Sequence, residues 1–455
     1  MRDPEATMKI LLTNAWVLTI DANMRDYQRG WMLIEGSKIT GLGDGPPPDN
    51  TGASVHDMGG DIVMPGMVNT HCHMAMSLFR GLGEDVDDRL FRYMLPLERK
   101  FVSPSMVRAG SNLSALEMIM GGVTTVADMY YHETEVADVI ARSGMRGVVG
   151  QTLADFDPPD HASFEEGFAL CDALVEACAG QPRVTASIAP HAPYSTGMDI
   201  LERVAHWHDD HADTRIQIHL AETQDEVTWA ADKHGMSTTA VCDAAGLLKP
   251  GTIAAHCLLI NDADIETIAR TDTRVAHNAR SNGKAGRGMA RVEDMRAAGI
   301  PVGIATDGPM SGNTLDLFSQ FGVVSIFAKV LRGSRKALPT RELVRMATFE
   351  GAKVLGLDGE TGSLEIGKQA DLIRIDLSAP RMQPIYDPYS ILVFATKPDD
   401  VRDVMVDGQW LMRDRQVQSM EPAKVLADAN QVADQFRAEI AAIDAGMTQN
   451  GAQKG

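Results

Sequence analysis

Short apolar runs cut by Gly, Asp and Asn open the chain: ILLTNAWVLTID, WMLIEGSKITGLG and DIVMPGMVNTH. Runs of this kind predict strands joined by tight turns, so residues 1–66 read as a small β-module. From about residue 105 onward, helix-like segments alternate with short apolar stretches: GVTTVADMYY, GMRGVVGQTL, RVTASIAPHAPY, RIQIHLAET, GTIAAHCLLI, RVAHNARSN and IPVGIATDGP. With the leading VMPGMVNTHCH these make eight strands, the number that closes a parallel (β/α)8 barrel. The barrel is assigned to residues 67–364. IGKQADLIRIDL, ILVFAT and VRDVMVDGQWLM then return to short β-runs. The expected fold class is therefore α/β: a TIM-like barrel with a small β-sandwich composed of both chain ends, residues 1–66 plus 365–420. In the tail, 421–455, Val425, Val432, Phe436, Ile440 and Ile443 recur at helical spacing, which predicts an amphipathic helix packed on the body.

Composition narrows the function. At 455 residues, 44% hydrophobic and 23% charged, the chain has enough apolar material for a large core. Its net charge of −20 repels phosphate backbones and anionic lipid, so neither nucleic acid nor a membrane surface is an expected partner. Five scattered cysteines without a C-x-x-C pair indicate neither a disulfide framework nor a zinc ribbon, and a reducing, cytoplasmic setting is expected. The start, MRDPEATMKILL, is acidic where a signal peptide is basic.

Candidate chemistry gathers at the strand ends. Alternation along a strand puts His71 and His73 on one face, a metal half-site if both imidazoles are neutral. RIQIHLAET ends a strand at His219 with Glu222 in the following turn; GTIAAHCLLI offers His256, and IPVGIATDGP offers Asp307. Taken singly, each could be a locally satisfied histidine, a turn residue or an N-cap. Together they place His or Asp at four strand ends of one predicted barrel, on the face where such barrels hold their sites. Three histidines and an aspartate suit zinc or ferrous iron better than magnesium or calcium.

HCH at 71–73, HLAET at 219–223, AAHC at 254–257, HNARSN at 277–282 and ATDG at 305–308 resemble the amidohydrolase superfamily. More narrowly they resemble its mononuclear-metal deaminases, the methylthioadenosine/S-adenosylhomocysteine deaminase and triazine hydrolase/chlorohydrolase branch. The likeness runs from about residue 8 to 420 and takes in MPGMVNTH, PLE at 96–98, GVTTVADM and GKQADLIRID. It implies that His71, His73, His219 and Asp307 are metal ligands, Glu222 the proton shuttle and His256 the histidine that orients the attacking water. It also implies substrate contacts at Glu98 and His191. Gln151, also expected to contact substrate, stands where members acting on S-adenosylhomocysteine carry an arginine. One divalent metal is implied, zinc in first place and iron in second, and no strand-end lysine is placed to bridge a second ion. Lys284, in SNGKAGRG, reads as a solvated lysine; that loop departs from the Asn-Pro and Lys-Leu forms of the family.

The function so implied is hydrolytic deamination of an amino-substituted N-heterocycle to its oxo form, with release of ammonia. The alternatives are hydrolysis of a cyclic amide or a chlorinated triazine at the same site, or methylthioadenosine/S-adenosylhomocysteine deamination proper. A small-molecule aminoheterocycle is the expected partner, and a homo-oligomer stays open. A non-catalytic scaffold on the same fold would be expected to lack a ligand or the shuttle, and all five positions are filled.

Overall fold

The computed structural model describes residues 8–49 and 52–452, with side chains described as far as residue 445; residues 1–7, 50, 51 and 453–455 lie outside the described residues. The N-terminal strands are β1 (Lys9–Leu18), β2 (Asp26–Glu35), β3 (Lys38–Asp44), β4 (Ser54–Asp57) and β5 (Ile62–Pro65). Only Gly66 separates β5 from β6 (Met67–Cys72), and a Cβ there would lie 2.2 Å from the Thr124 side chain. The chain thus passes directly from the end sheet into the barrel.

The barrel continues through β7 (Val123–Tyr130), β8 (Arg146–Leu153), β9 (Val184–Pro190), β10 (Arg215–Leu220), β11 (Ile253–His256), β12 (Arg274–His277) and β13 (Val302–Ile304). These are the eight strands read from the apolar runs, hydrogen-bonded in sequence order and all parallel. Every residue of β6, β7 and β8 is buried, as expected of strands with helices on one face and a filled interior on the other. The first and last strands close the ring. Asp307 N–H donates to His71 O at 3.2 Å, Thr70 Oγ1 to Ile304 O at 3.1 Å and Asn69 Nδ2 to Thr306 Oγ1 at 2.7 Å. β6 and β13 approach so closely that a Cβ on Gly303 would stand 2.3 Å from Thr70 Cγ2.

C-terminal β14 (Leu372–Ile375), β15 (Val401–Val406), β16 (Gln409–Arg413) and β17 (Gln416–Val417) join the N-terminal strands in one mixed sheet, ordered β17-β16-β15-β14-β5-β1-β2-β3 with β4 also on β1. The two chain ends meet where β14 runs antiparallel to β5, Leu372 opposite Pro65. Ile10, Leu12, Val17, Met32, Ile34, Leu372 and Met405 bury a separate apolar core between them. Arg146, at the start of β8 and 2% exposed, fastens this sheet to the barrel: Nε reaches Asp371 Oδ2 at 3.0 Å and Nη2 reaches Asp407 Oδ1 at 2.7 Å.

ILVFAT, expected as a β-run, is helical: it lies largely within the helix Pro388–Phe394. Asp387 caps that helix by accepting from Tyr389 N and Ser390 N, and Pro388 occupies its first turn. These start signals outweigh the β propensity of the apolar residues. The tail forms the helix Pro422–Ala452 and buries Val425 and Phe436. Phe436 packs at 4.9 Å between ring centroids from Phe79 and 5.1 Å from Phe101.

The seam yields a test. Gly303→Ala should lose about 1–3 kcal/mol by overpacking, read from urea unfolding. Thr70→Ala in the same chain removes the clashing methyl and should recover part of that loss.

Candidate active site

The C-terminal ends of the barrel strands bring His71, His73, His219, His256, Asp307 and Glu222 into one mouth. His71 ends β6, His219 lies in β10, His256 ends β11, and Asp307 follows β13. Ala221, His256 and Asp307 adopt positive φ, at 52°, 72° and 59°, backbone strain held where the strands turn into the site loops.

Hydrogen bonds fix the imidazole tautomers. His73 Nδ1 lies 2.5 Å from Met129 O, and His219 Nδ1 lies 2.7 Å from His191 O. A carbonyl only accepts, so each Nδ1 carries the proton. In the neutral rings the two Nε2 lone pairs then face one another across 3.4 Å, with no proton between them. His73 Nε2 is 3.4 Å and His71 Nε2 4.0 Å from Asp307 Oδ1, and His71 Nε2 is a buried atom without a hydrogen-bond partner. Converging lone pairs, an orphaned ring nitrogen and a carboxylate are the signature of a cation site. The donor atoms of His71, His73 and His219, and likewise those of His71, His256 and Asp307, lie within 4.8 Å of one another. These residues could hold one divalent ion.

Electrostatics agree. Burial, then the neighbouring imidazoles, push His71 and His191 far below the ordinary histidine value and His219 down to about 4. Burial works to raise Asp307, but His256, His73, the Ser281 hydroxyl and the Gly308 N–H outweigh it, and the carboxyl is held below its usual range. Burial is likewise overcome at Glu222 by His256, Arg287 and His219. Both carboxylates are therefore ionised at neutral pH.

Glu222 is set by its own loop. Glu226 accepts from Ala221 N at 2.8 Å and Glu222 N at 2.9 Å, while Thr223 caps the helix Gln224–His234. Glu222 Oε1 then lies 3.8 Å from His256 Nε2 and pairs with Arg287 Nη1. His256 Nδ1 donates to Asn282 Oδ1 at 2.8 Å, and Ser281 Oγ donates to Asp307 Oδ2 at 2.5 Å. Both partners sit on the short helix Ala279–Lys284. Within HNARSN neither Ser281 nor Asn282 is marked out by residue type alone; their offsets from the strand end are the available signal. His277 is likewise unmarked in the sequence, fully buried at the end of β12 with both ring nitrogens unpartnered and pushed down to about 4 by burial and His256.

The remaining expected residues are placed as follows. Glu98, on the helix Leu95–Phe101, is 6% exposed and accepts from Tyr130 Oη at 2.5 Å; burial lifts it to about 7. His191 bonds Ser195 Oγ at 2.9 Å and packs 4.9 Å from the His219 ring. Gln151 differs from its expected substrate contact: its amide is committed to Asp160 Oδ2 at 2.9 Å, Thr152 O at 3.2 Å and the Glu133 N–H at 3.4 Å. A side chain 2% exposed with both ends of its amide engaged braces the β8 loop. Lys284 is exposed, as expected of a solvated loop lysine. It bonds Glu84 Oε1 at 2.8 Å and Ser311 O at 3.1 Å, tying two loops together.

The Amidohydrolase family profile matches residues 62–411. A curated relative, the 5-methylthioadenosine/S-adenosylhomocysteine deaminase of Syntrophobacter fumaroxidans, is 35% identical over 431 residues, covering 93% of this chain and 97% of its own length. The 5′-deoxyadenosine deaminase of Methanosarcina acetivorans is 35% identical over 432 residues, covering 94% and 98%. Among solved structures, an adenosine deaminase from Xanthomonas campestris with bound zinc superposes with a TM-score of 0.91 at 30% identity, covering 96% of this chain and 100% of its own. No helix among the described residues is long and apolar enough to cross a membrane.

The histidine tautomers carry a pH prediction for protein freed of metal. His71, His191, His219 and His277 have folded-state values depressed below that of the unfolded chain, which therefore binds more protons between pH 6.5 and about 4. The contribution of these four groups to stability is fully present above that window and falls as the pH drops through it, by up to about 1.4 kcal/mol per pH unit for each group, while Glu98 and Glu226, lifted to about 7, act in the opposite sense. The measurement is therefore made on the rings themselves: in chelator-treated protein the NMR shifts of His71, His191 and His219 should be those of neutral imidazoles at both pH 7 and pH 5, and protonated-ring shifts at pH 5 would contradict the neutral-imidazole assignment.

Proposed function

The chain belongs to the amidohydrolase family, and on that footing we propose that it is a hydrolytic deaminase of adenosine-type nucleosides, replacing the 6-amino group by oxygen and releasing ammonia. The observation that carries this reading is the gathering of the His71, His73 and His219 donor atoms within 4.8 Å of one another, with Asp307 Oδ1 3.4 Å from His73 Nε2 and Glu222 3.8 Å from His256.

His71, His73, His219 and Asp307 would hold one zinc ion; orphaned His71 Nε2 and the facing lone pairs of His73 and His219 fit that group. When bound, the metal supplies Lewis-acid activation of water near neutral pH. Glu222, ionised at rest, accepts one proton of the attacking water and delivers it to the ring nitrogen beside the reacting carbon, and then carries the remaining proton of that oxygen to the departing amine. One carboxylate serves both transfers because it hangs over the cluster from a turn held by Glu226. His256, its Nδ1–H fixed on Asn282, keeps Nε2 aimed at the same space and steadies the attacking oxygen. The products are the 6-oxopurine nucleoside and ammonia, so atoms and protons balance against one water.

Glu98, buried beside the Tyr130 hydroxyl, is the proposed acceptor for sugar hydroxyls, with His191 against the ring. The relatives' names include both S-adenosylhomocysteine and 5′-deoxyadenosine as substrates of those enzymes. In this chain Gln151 is spent on Asp160, an acidic neighbour rather than a partner for a carboxylate tail. Uncharged 5′-substituted adenosines are therefore favoured.

Two outcomes check this. Glu222→Gln should retain about one zinc per chain while kcat falls by about 10²–10⁴-fold; a variant keeping a tenth of the wild-type rate would remove Glu222 from the proton path. In one ammonia-release assay, 5′-deoxyadenosine and methylthioadenosine should exceed S-adenosylhomocysteine in kcat/KM by about tenfold or more, an energy of about 1.4 kcal/mol. Ring-opened acid or chloride release without ammonia would instead favour the cyclic-amide or chlorotriazine chemistry.

A further inference from the structure

The segment that departs from the family form, SNGKAGRG, ends over the mouth. Its helix, Ala279–Lys284, is anchored twice to the cluster, through Ser281 to Asp307 and through Asn282 to His256. Beyond the helix the chain turns back: Gly286 N donates to Gly283 O at 3.1 Å and Arg287 N to Asn282 O at 3.0 Å. Gly286 and Gly288, on either side of Arg287, have φ of +67° and +100°. Side chains rarely adopt those values. The turn therefore fixes the Arg287 backbone directly on the residue that holds His256, and the guanidinium reaches across to Glu222.

We propose that Arg287 is a positioning residue for Glu222: it ties down Oε1 so that the carboxylate stays over the cluster and Oε2 carries the proton. This rests on the role of Glu222 given above. The contacts support the division of labour between the two oxygens, since Arg287 Nη1 and His256 Nε2 both approach Oε1. An unrestrained glutamate has three rotatable side-chain bonds, and an acid–base group must sit within hydrogen-bond reach of both the attacking oxygen and the ring nitrogen. A guanidinium bond removes that freedom more effectively than an ammonium, because its planar fork is already organised. Segment 281–287 thus acts on three site groups at once: Asp307, His256 and Glu222. Arg287 is 39% exposed, so its replacement leaves no buried void.

The test combines kinetics with a direct view of the carboxylate. Arg287→Ala should lower kcat about tenfold or more while KM moves less than about threefold, with zinc content unchanged; Arg287→Lys should recover part of the rate. In a Glu222→Gln background the same substitution should add no further loss, because the group it serves is already gone. A loss that falls on KM and persists in that background would overturn the proposal in favour of direct substrate contact, and an unchanged kcat would overturn it outright. Crystal structures of Arg287→Ala and of the unsubstituted protein read the geometry whatever the substrate. Glu222 should turn away from His256 in the variant; an unmoved carboxylate defeats the positioning role. Failure of the unsubstituted enzyme to release ammonia from any adenosine-type nucleoside would count against the proposed function and leave that structural comparison standing.

Discussion

Across the seam between β6 and β13 the Asp307 N–H meets the His71 carbonyl at 3.2 Å, and nearly every feature of the site depends on that contact being made. His71 and Asp307 are 236 positions apart in the chain, and only closure of the ring makes them neighbours. Closure requires close approach, which Gly303 permits by presenting no Cβ to Thr70. It also requires that the polar groups buried at the seam be satisfied. Asn69 and Thr306 do this reciprocally, the amide donating to the Thr306 hydroxyl at 2.7 Å and accepting from the Thr306 N–H at 3.1 Å. A buried polar pair satisfied in both directions fixes the strand register, since a slip by one residue would turn His71 away from the mouth.

The backbone, rather than a set of acidic side chains, orients the imidazoles. His73 and His219 each spend Nδ1 on a main-chain carbonyl, from Met129 and His191. Each carbonyl belongs to the neighbouring strand or its end, so the sheet that positions the ring also selects its tautomer. His256 is the exception, oriented by Asn282 from the helix after β12. Barrel geometry thus aims the converging imidazole nitrogens, and the loop after β12 holds His256 and Asp307 and, in the proposed function, the proton-carrying Glu222.

Much of this was legible in the amino-acid sequence. The eight barrel strands are continuous apolar runs, and a strand-end histidine or aspartate is recognisable when it ends such a run. ILVFAT was misread because β-branched and aromatic residues look alike in a strand and in a buried helix; the deciding information lay upstream, in Asp387 and Pro388. Gln151 could be located but not interpreted, since its partner Asp160 comes from the following loop and only the fold brings the two together. Arg287 lies in SNGKAGRG, whose departure from the family form was visible as a basic, glycine-rich loop, but its partner was not. Its meaning depends on a turn that carries it back over a glutamate 65 positions earlier in the chain.

Charge explains why these parts belong together. Asp307 and Glu222 are held below the usual carboxylate range against burial by the groups around them, His256 foremost, while at Glu98 and Glu226 burial prevails and lifts the carboxyls to about 7. Uncompensated negative charge in such a place is costly, and His71, His191 and His219, pushed down by burial, do not offset it by protonation at neutral pH. In the proposed function a divalent ion at the facing nitrogens would, and Arg287 pairs with Glu222 at the rim. With its two carboxylates balanced in this way, the mouth has little positive charge left over for a substrate anion. On the proposed function, a neutral heterocycle would enter without disturbing that balance, whereas a carboxylate tail would compete with Glu222 for the Arg287 guanidinium.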